Sequence, residues 1–244
     1  AATADALLNL LLALSLFDAW RHLESGRRAP LLRSYLWMGL GVLAKGPIAL
    51  IVPAGVTFLY CASRREWQRW ARAVFDPVGW LLLAALVVPW YTHALATHGQ
   101  DFIDGFFLRH NVERFTGTLE GHGGGFLYYL VVLPLLLLPW SPLLVVVLAR
   151  ARGLWRDPLA RFLLLWAGFV FALFSASGTK LPHYMLYGVA PLALLMARQL
   201  GELGRAGHTA LWLVLAAQLA LAAALPALLP ALAPKVNDTW VRGL

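Results

Sequence analysis

The sequence predicts an all-α, polytopic bundle of transmembrane helices, and three observations lead there. Of the 244 residues 60% are hydrophobic and only 13% are charged, with a mean hydropathy of +0.69, well outside the range of soluble domains of this size. The apolar residues form long runs, among them 78–96, 126–148 and 211–232. At about 1.5 Å per residue each can cross a hydrocarbon core of roughly 30 Å as a helix. These runs are apolar on every face and do not alternate, which favours helices over a barrel. Finally, the arginines are gathered into short stretches between the runs.

Those stretches set the topology. Arg21, Arg27, Arg28 and Arg33 form one cluster, Arg64, Arg65, Arg69 and Arg72 a second, Arg150, Arg152, Arg156 and Arg161 a third, and Arg198 and Arg205 the last. The positive-inside rule places all of them on the cytoplasmic side. Between two such clusters the chain must go out and come back. Segment 4–20 then runs inward, 31–44 goes out and 47–61 returns, 78–96 goes out and 126–149 returns, 162–176 goes out, 182–197 returns and 209–232 goes out. Eight membrane segments are expected, in a single transmembrane domain over 1–244 with an outer loop at 97–125. The arms around Lys45 are shorter than the roughly 20 residues of a full crossing, so a single tilted helix is the alternative to a hairpin there.

The net charge of +8 does not point to nucleic acid, because the basic residues sit in loops between apolar runs, where they orient the chain. A lone cysteine, Cys61, has no partner for an internal disulfide and reads as a packing residue. The chain opens on Ala1-Ala2-Thr3 with its first helix already under way, and reads as a segment of a longer protein.

Polar chemistry collects at the outer helix ends. In Ala44-Lys45-Gly46-Pro47, Gly suits the end of one helix and Pro the first turn of the next. A helix descending from Pro47 would aim unpaired N–H groups and its positive dipole end outward beside the Lys45 ammonium, a favourable place for an anion. Thr179-Lys180-Leu181-Pro182 repeats the construction, and a third helix is expected near Phe126, downstream of Arg114 and His122. Three cationic helix starts fit a phosphate or pyrophosphate. Equally open is the reading in which Lys45 and Lys180 snorkel to the interface and the prolines break helices.

The outer loop carries His98, Asp101, Asp104, Arg109, His110, Asn111, Glu113, Arg114, Glu120 and His122. Phe102, Ile103, Phe106, Phe107, Val112 and Phe115 interleave with them at near-helical spacing, so 101–115 is expected to be an amphipathic helix in the interface. Such a helix either roofs a cavity or simply seals the bundle. Five of the 7 histidines fall on the outer side, but neither an HExxH motif nor paired Cys/His spacing is present, so no metal and no cofactor are indicated. Asp5, at the outer end of the first segment, is the candidate carboxylate. Trp90-Tyr91, Tyr128-Tyr129 and Trp140 suit an interfacial belt or a pocket lining.

Taken in order, Thr3-Ala4-Asp5-Ala6-Leu7, Lys45-Gly46-Pro47, Pro89-Trp90-Tyr91, His110-Asn111 with Arg114-Phe115, His122 before Phe126 and Tyr128-Tyr129, Pro139-Trp140, and Ser177-Gly178-Thr179-Lys180-Leu181-Pro182 with Tyr184 and Pro191 resemble the aminoarabinose transferase and protein mannosyltransferase superfamily. The resemblance implies a GT-C type glycosyltransferase that takes a sugar from a polyprenyl-phosphate donor and passes it to a lipid, protein or glycan acceptor on the outer face. With undecaprenyl phosphate as carrier, it implies a bacterial inner membrane and a periplasmic active face. Lys45, Arg114 and Lys180 would hold the donor phosphate. His110, Asn111, Glu113, His122, Tyr128 and Tyr184 would line the substrate site. The family's principal catalytic carboxylate lies in a first outer loop that would precede residue 1, and Asp5 matches a second acidic position. The helices before it and the outer domain after Pro234 are expected to be missing, leaving the activity of this stretch alone in doubt. Two other readings stay open: a transporter or flippase for a lipid-linked or anionic solute, although no internal repeat and no midplane charge is evident, and a scaffold without catalysis.

Overall fold

A chain in hydrocarbon must satisfy its own backbone polar groups, and this one does so with helices. The structure, a computed structural model, describes residues 2–102, 125 and 127–232. Among them are eleven α-helices and a 3₁₀ helix. Helices α1 (Ala2–Ser25), α2 (Arg28–Lys45) and α3 (Ile48–Ser63) form the first layer, followed by short α4 (Trp67–Val74) and long α5 (Pro77–Phe102). Then come α6 (Tyr128–Leu136), α7 (Ser141–Ala149), α8 (Ala151–Leu154), α9 (Pro158–Ala176), the 3₁₀ helix (Pro182–Gly188), α10 (Val189–Gly201) and α11 (Arg205–Leu232).

The most extensive packing is α1 on α2, which in turn carries α5. Small and polar residues allow the first pair to approach. A Cβ on Gly41 would stand 3.6 Å from Leu8 Cδ1 and 3.9 Å from Leu11 Cβ of α1, and Ser34 donates to the Ser15 carbonyl at 3.0 Å. Asp18, buried in α1, accepts from Arg33 Nε at 3.0 Å and Nη2 at 2.7 Å and from Trp37 Nε1 at 3.0 Å. A carboxylate in such surroundings persists because its oxygens are fully engaged by donors.

The hairpin expected around Lys45 is present. Gly46 turns the corner with φ +89°, where a side chain would be strained, and its N–H closes α2 on the Val42 carbonyl at 2.8 Å. Beyond it α3 packs on α9, where the Gly55 backbone lies directly against the Phe169 ring. Behind these helices the core centres on Trp166, Phe162, Tyr60 and Tyr187, all essentially inaccessible to solvent.

Two expectations change. The returning segment at 126–149 is not one helix: α6 and α7 meet at an angle of 119°. Pro139 stands in the break and Pro142 in the first turn of α7, and proline offers no N–H to continue a helical ladder. Each arm has 9 residues, about half a crossing, so the pair makes one broken span or a re-entrant loop. The chain after Pro182 begins as a 3₁₀ helix before α10 takes over. By length and composition four described helices can cross a membrane, five with the bent pair counted as one span. That does not establish the eight segments, because α3 has only 16 residues and α2 carries Arg28, Arg33 and Lys45. The amphipathic helix expected at 101–115 lies outside the described residues.

One end of the bundle gathers arginine ion pairs: Arg28 with Asp76, Arg64 with Glu24 and Glu66, and Arg198 with Asp157 and Glu202. The other end holds Asp5, Lys45 and the 3₁₀ helix. Tight packing at Gly55 makes a direct prediction. Gly55→Ala should lower the unfolding free energy in detergent by about 1–3 kcal/mol, and Phe169→Leu in the same chain should return part of it.

Candidate functional site at the lysine end

Three elements far apart in sequence deliver one charge cluster. Asp5 lies in the first turn of α1 and Lys45 in the last turn of α2, each at the helix end whose dipole favours its charge. Tyr187 comes from the 3₁₀ helix, held there because Trp166 Nε1 donates to its carbonyl at 2.9 Å. Lys45 Nζ forms an ion pair with Asp5 Oδ1 and donates to the Tyr187 hydroxyl at 3.2 Å. The Tyr187 hydroxyl donates to the same Asp5 oxygen at 2.6 Å. His183 Nε2 stands 3.7 Å from the other one, Oδ2. Aromatic rings wall the ammonium, with the Tyr184 centroid at 5.6 Å and the Tyr187 centroid at 6.0 Å. Tyr184 itself stacks on Phe174 at 4.7 Å.

Asp5 is 8% exposed, whereas the Lys45 side chain retains 25% exposure. An ammonium has three N–H donors. Asp5 and Tyr187 take two, and among the described residues the third has no partner, so Lys45 can present a donor to an outside acceptor. Lys45 and Tyr187 both engage Asp5 through Oδ1, and Oδ2 faces His183.

Lys180 lies in the turn between α9 and the 3₁₀ helix. It is 6% exposed, and its Nζ donates at 2.8 Å to the carbonyls of Ser175 and Ser177. These belong to the C-terminal end of α9, where helical carbonyls lack intrahelical partners. The ring of Tyr129 lies 6.0 Å from the ammonium, and the Tyr129 hydroxyl accepts from Leu181 N–H and donates to the Leu181 carbonyl, both at 3.1 Å. Burial lowers the Lys180 pKa from its ordinary value of 10.5. Lys180 thus braces the turn that carries the 3₁₀ helix.

Tyr128 is half-buried and packs edge-on against Tyr129 at 4.9 Å. Arg114, His110, Asn111, Glu113 and His122 lie outside the described residues. Among those described, no three of His, Cys, Asp and Glu come together as a metal site. Tyr187 was not singled out from the sequence. Its signal was the spacing Tyr184…Tyr187, one turn apart just after Pro182, but nothing local ties it to Asp5.

No protein-family model matches the chain. Among curated proteins, the undecaprenyl phosphate-α-4-amino-4-deoxy-L-arabinose arabinosyl transferase of Pseudomonas paraeruginosa is 36% identical over 228 residues, 86% of this chain. The protein of that name from Edwardsiella ictaluri is 31% identical over 217 residues, 84% of the chain. The chain belongs to the aminoarabinose transferase family. It spans 40% of the Pseudomonas relative and 38% of the Edwardsiella one. The crystal structure of ArnT from Cupriavidus metallidurans bound to undecaprenyl phosphate superimposes with a TM-score of 0.79, covering 97% of this chain and 43% of that one at 23% identity. The helical membrane fold of this segment is therefore shared, and the family resemblance drawn from its motifs holds.

Two predictions follow from the partners of the lysines. Removing the Asp5 charge with Asp5→Asn leaves Lys45 without a counter-ion. It should cost about 2 kcal/mol of stability, whereas Tyr187→Phe, which loses hydrogen bonds only, should cost about 1 kcal/mol; thermal unfolding in nanodiscs compares them. Because folding lowers the Lys180 pKa, the unfolded chain binds more protons there, so this group makes stability rise as pH climbs toward 10.5. Lys180→Met should flatten that part of the stability profile.

Proposed function

We propose that the protein carrying this chain is an integral membrane glycosyltransferase that takes 4-amino-4-deoxy-L-arabinose from an undecaprenyl-phosphate donor, as the names of its relatives describe for them. The observation carrying this reading is Lys45, held by Asp5 and Tyr187 at a helix corner with one N–H direction open to an outside acceptor. In the reaction an acceptor nucleophile bonds to the anomeric carbon as the bond from that carbon to the phosphate oxygen breaks. The electron pair and negative charge go to the departing lipid phosphate, and the acceptor's proton goes to a base. Lys45 donates to the charge that develops, and Arg114 serves as a second cation for the same phosphate. Lys180 acts on the same phosphate, its ammonium fixed by the Ser175 and Ser177 carbonyls. Preorganised donors aimed at a leaving group lower the barrier because they need little reorganisation as charge appears.

His110, Asn111, Glu113, His122, Tyr128 and Tyr184 are assigned by the family resemblance to binding of sugar and acceptor. Asp5 sets the position of Lys45. The arginine end faces the cytoplasm and the lysine end the periplasm of a bacterial inner membrane, with eight membrane segments in all. The test is sugar transfer by the reconstituted protein from undecaprenyl-phosphate aminoarabinose. Lys45→Gln should reduce kcat by about 100-fold, measured on the folded fraction at the assay temperature. Transfer that is unchanged in this variant, or absent from the wild type, would overturn the proposal.

A further inference from the structure

At the arginine end, away from the charge cluster, α1 to α5 enclose a cavity of about 260 Å³. Its wall is built from Leu23, Leu31, Met38, Leu50, Ala54, Leu83 and their neighbours. The polar side chains in the wall are already engaged within the protein. Ser34 donates to the Ser15 carbonyl, Thr57 to the Pro53 carbonyl, Tyr35 to those of Ala73 and Val74, Trp70 to that of Ala54 and Trp80 to that of Val74. His22 Nδ1 lies 2.7 Å from the Arg27 carbonyl. A guest would find few hydrogen-bonding partners there, so hydrocarbon suits the space better than water. Dry apolar cavities of about 150 Å³ already admit a benzene-sized guest.

The surroundings narrow the guest further. Two of the lining side chains, Ile51 of α3 and Trp80 of α5, are 46% and 44% exposed, which opens the cavity sideways on the lipid-facing surface of the bundle. Across it lies α4, whose Trp67 and Trp70 pack on Phe58 at 5.3 and 5.1 Å. Arg72, on the same helix, is exposed. The carbonyls at the end of α4 are held by Tyr35 and Trp80. An eight-residue helix with Trp70 in the cavity wall, Trp67 half-exposed and Arg72 exposed suits the headgroup layer. Arg27, whose carbonyl meets His22 of the wall, is exposed as well. A hydrocarbon wall, with Arg72 next in sequence to the lining Ala73 and the Arg27 carbonyl on the lining His22, is complementary to an anionic phospholipid.

We propose that this cavity takes an acyl chain of an anionic phospholipid whose phosphate lies between Arg27 and Arg72. The site is separate from sugar transfer, and the membrane orientation given above decides only which leaflet supplies the lipid. Native mass spectrometry of the full protein released from mixed phosphatidylglycerol and phosphatidylcholine vesicles tests it. The expected result is one retained phosphatidylglycerol, preferred about tenfold over phosphatidylcholine, in line with one or two rim charges at about 1 kcal/mol each. Ala54→Phe, which fills the cavity, should abolish retention. The surface double variant Arg27→Gln/Arg72→Gln should remove the preference while retaining the wild-type unfolding temperature. Equal retention of both lipids by the wild type, or a preference that persists in the double variant, would overturn the proposal, as would retention in an Ala54→Phe protein that unfolds at the wild-type temperature. None of these readouts depends on transfer activity, so the site and the proposed reaction stand or fall separately.

Discussion

The ion pair between Asp5 and Lys45 is the constraint on which the lysine end depends. A charge at a helix end in a membrane bundle needs a counter-charge, and here the two come from the start of α1 and the end of α2. Tyr187 then joins the pair to the 3₁₀ helix after α9, so one small network ties together the early and late parts of the chain. The corner at Gly46, the approach of α1 to α2 and the anchoring of Tyr187 by Trp166 all serve its geometry. Lys180 does a related job by engaging the carbonyls at the end of α9, and so fixes the loop from which Tyr184 and Tyr187 follow.

The two ends of the bundle solve the same electrostatic problem differently. At the arginine end, exposed guanidinium groups meet acidic partners at the surface, where such pairs contribute little to stability and chiefly set the orientation of the chain. At the lysine end the cations are few, largely buried and individually held. That contrast is why a ligand phosphate is assigned to the lysine end, where a donor direction is held in place before the ligand arrives. Between the two ends, Asp18 shows how the bundle tolerates a carboxylate: Arg33 and Trp37 surround it with donors.

Much of the fold was legible in the residues. Apolar runs, arginine clusters and the Gly-Pro corner at 46–47 mark helices and turns because membrane insertion and proline stereochemistry act locally. The motifs around Lys45, Arg114 and Lys180 carried the family, which the relatives bear out. Less legible was the bend between α6 and α7, since the surrounding leucines and valines read as one continuous span and only Pro139 hinted otherwise. The tryptophan-bearing helix α4 was overlooked because its arginines read as a topology signal.

The sequence by itself determined that this is a helical membrane protein, where its cations stand along the chain and which family it resembles, because these follow from composition and short-range pattern. Tertiary structure decided what each cation does. Lys45 and Lys180 sit in look-alike motifs, each followed closely by proline. Yet Lys45 meets Asp5 and Tyr187, 40 and 142 residues away, while Lys180 turns back on carbonyls five and three residues before it. A side chain's partner is set by how helices pack, and packing is a property of the whole bundle that no local motif encodes.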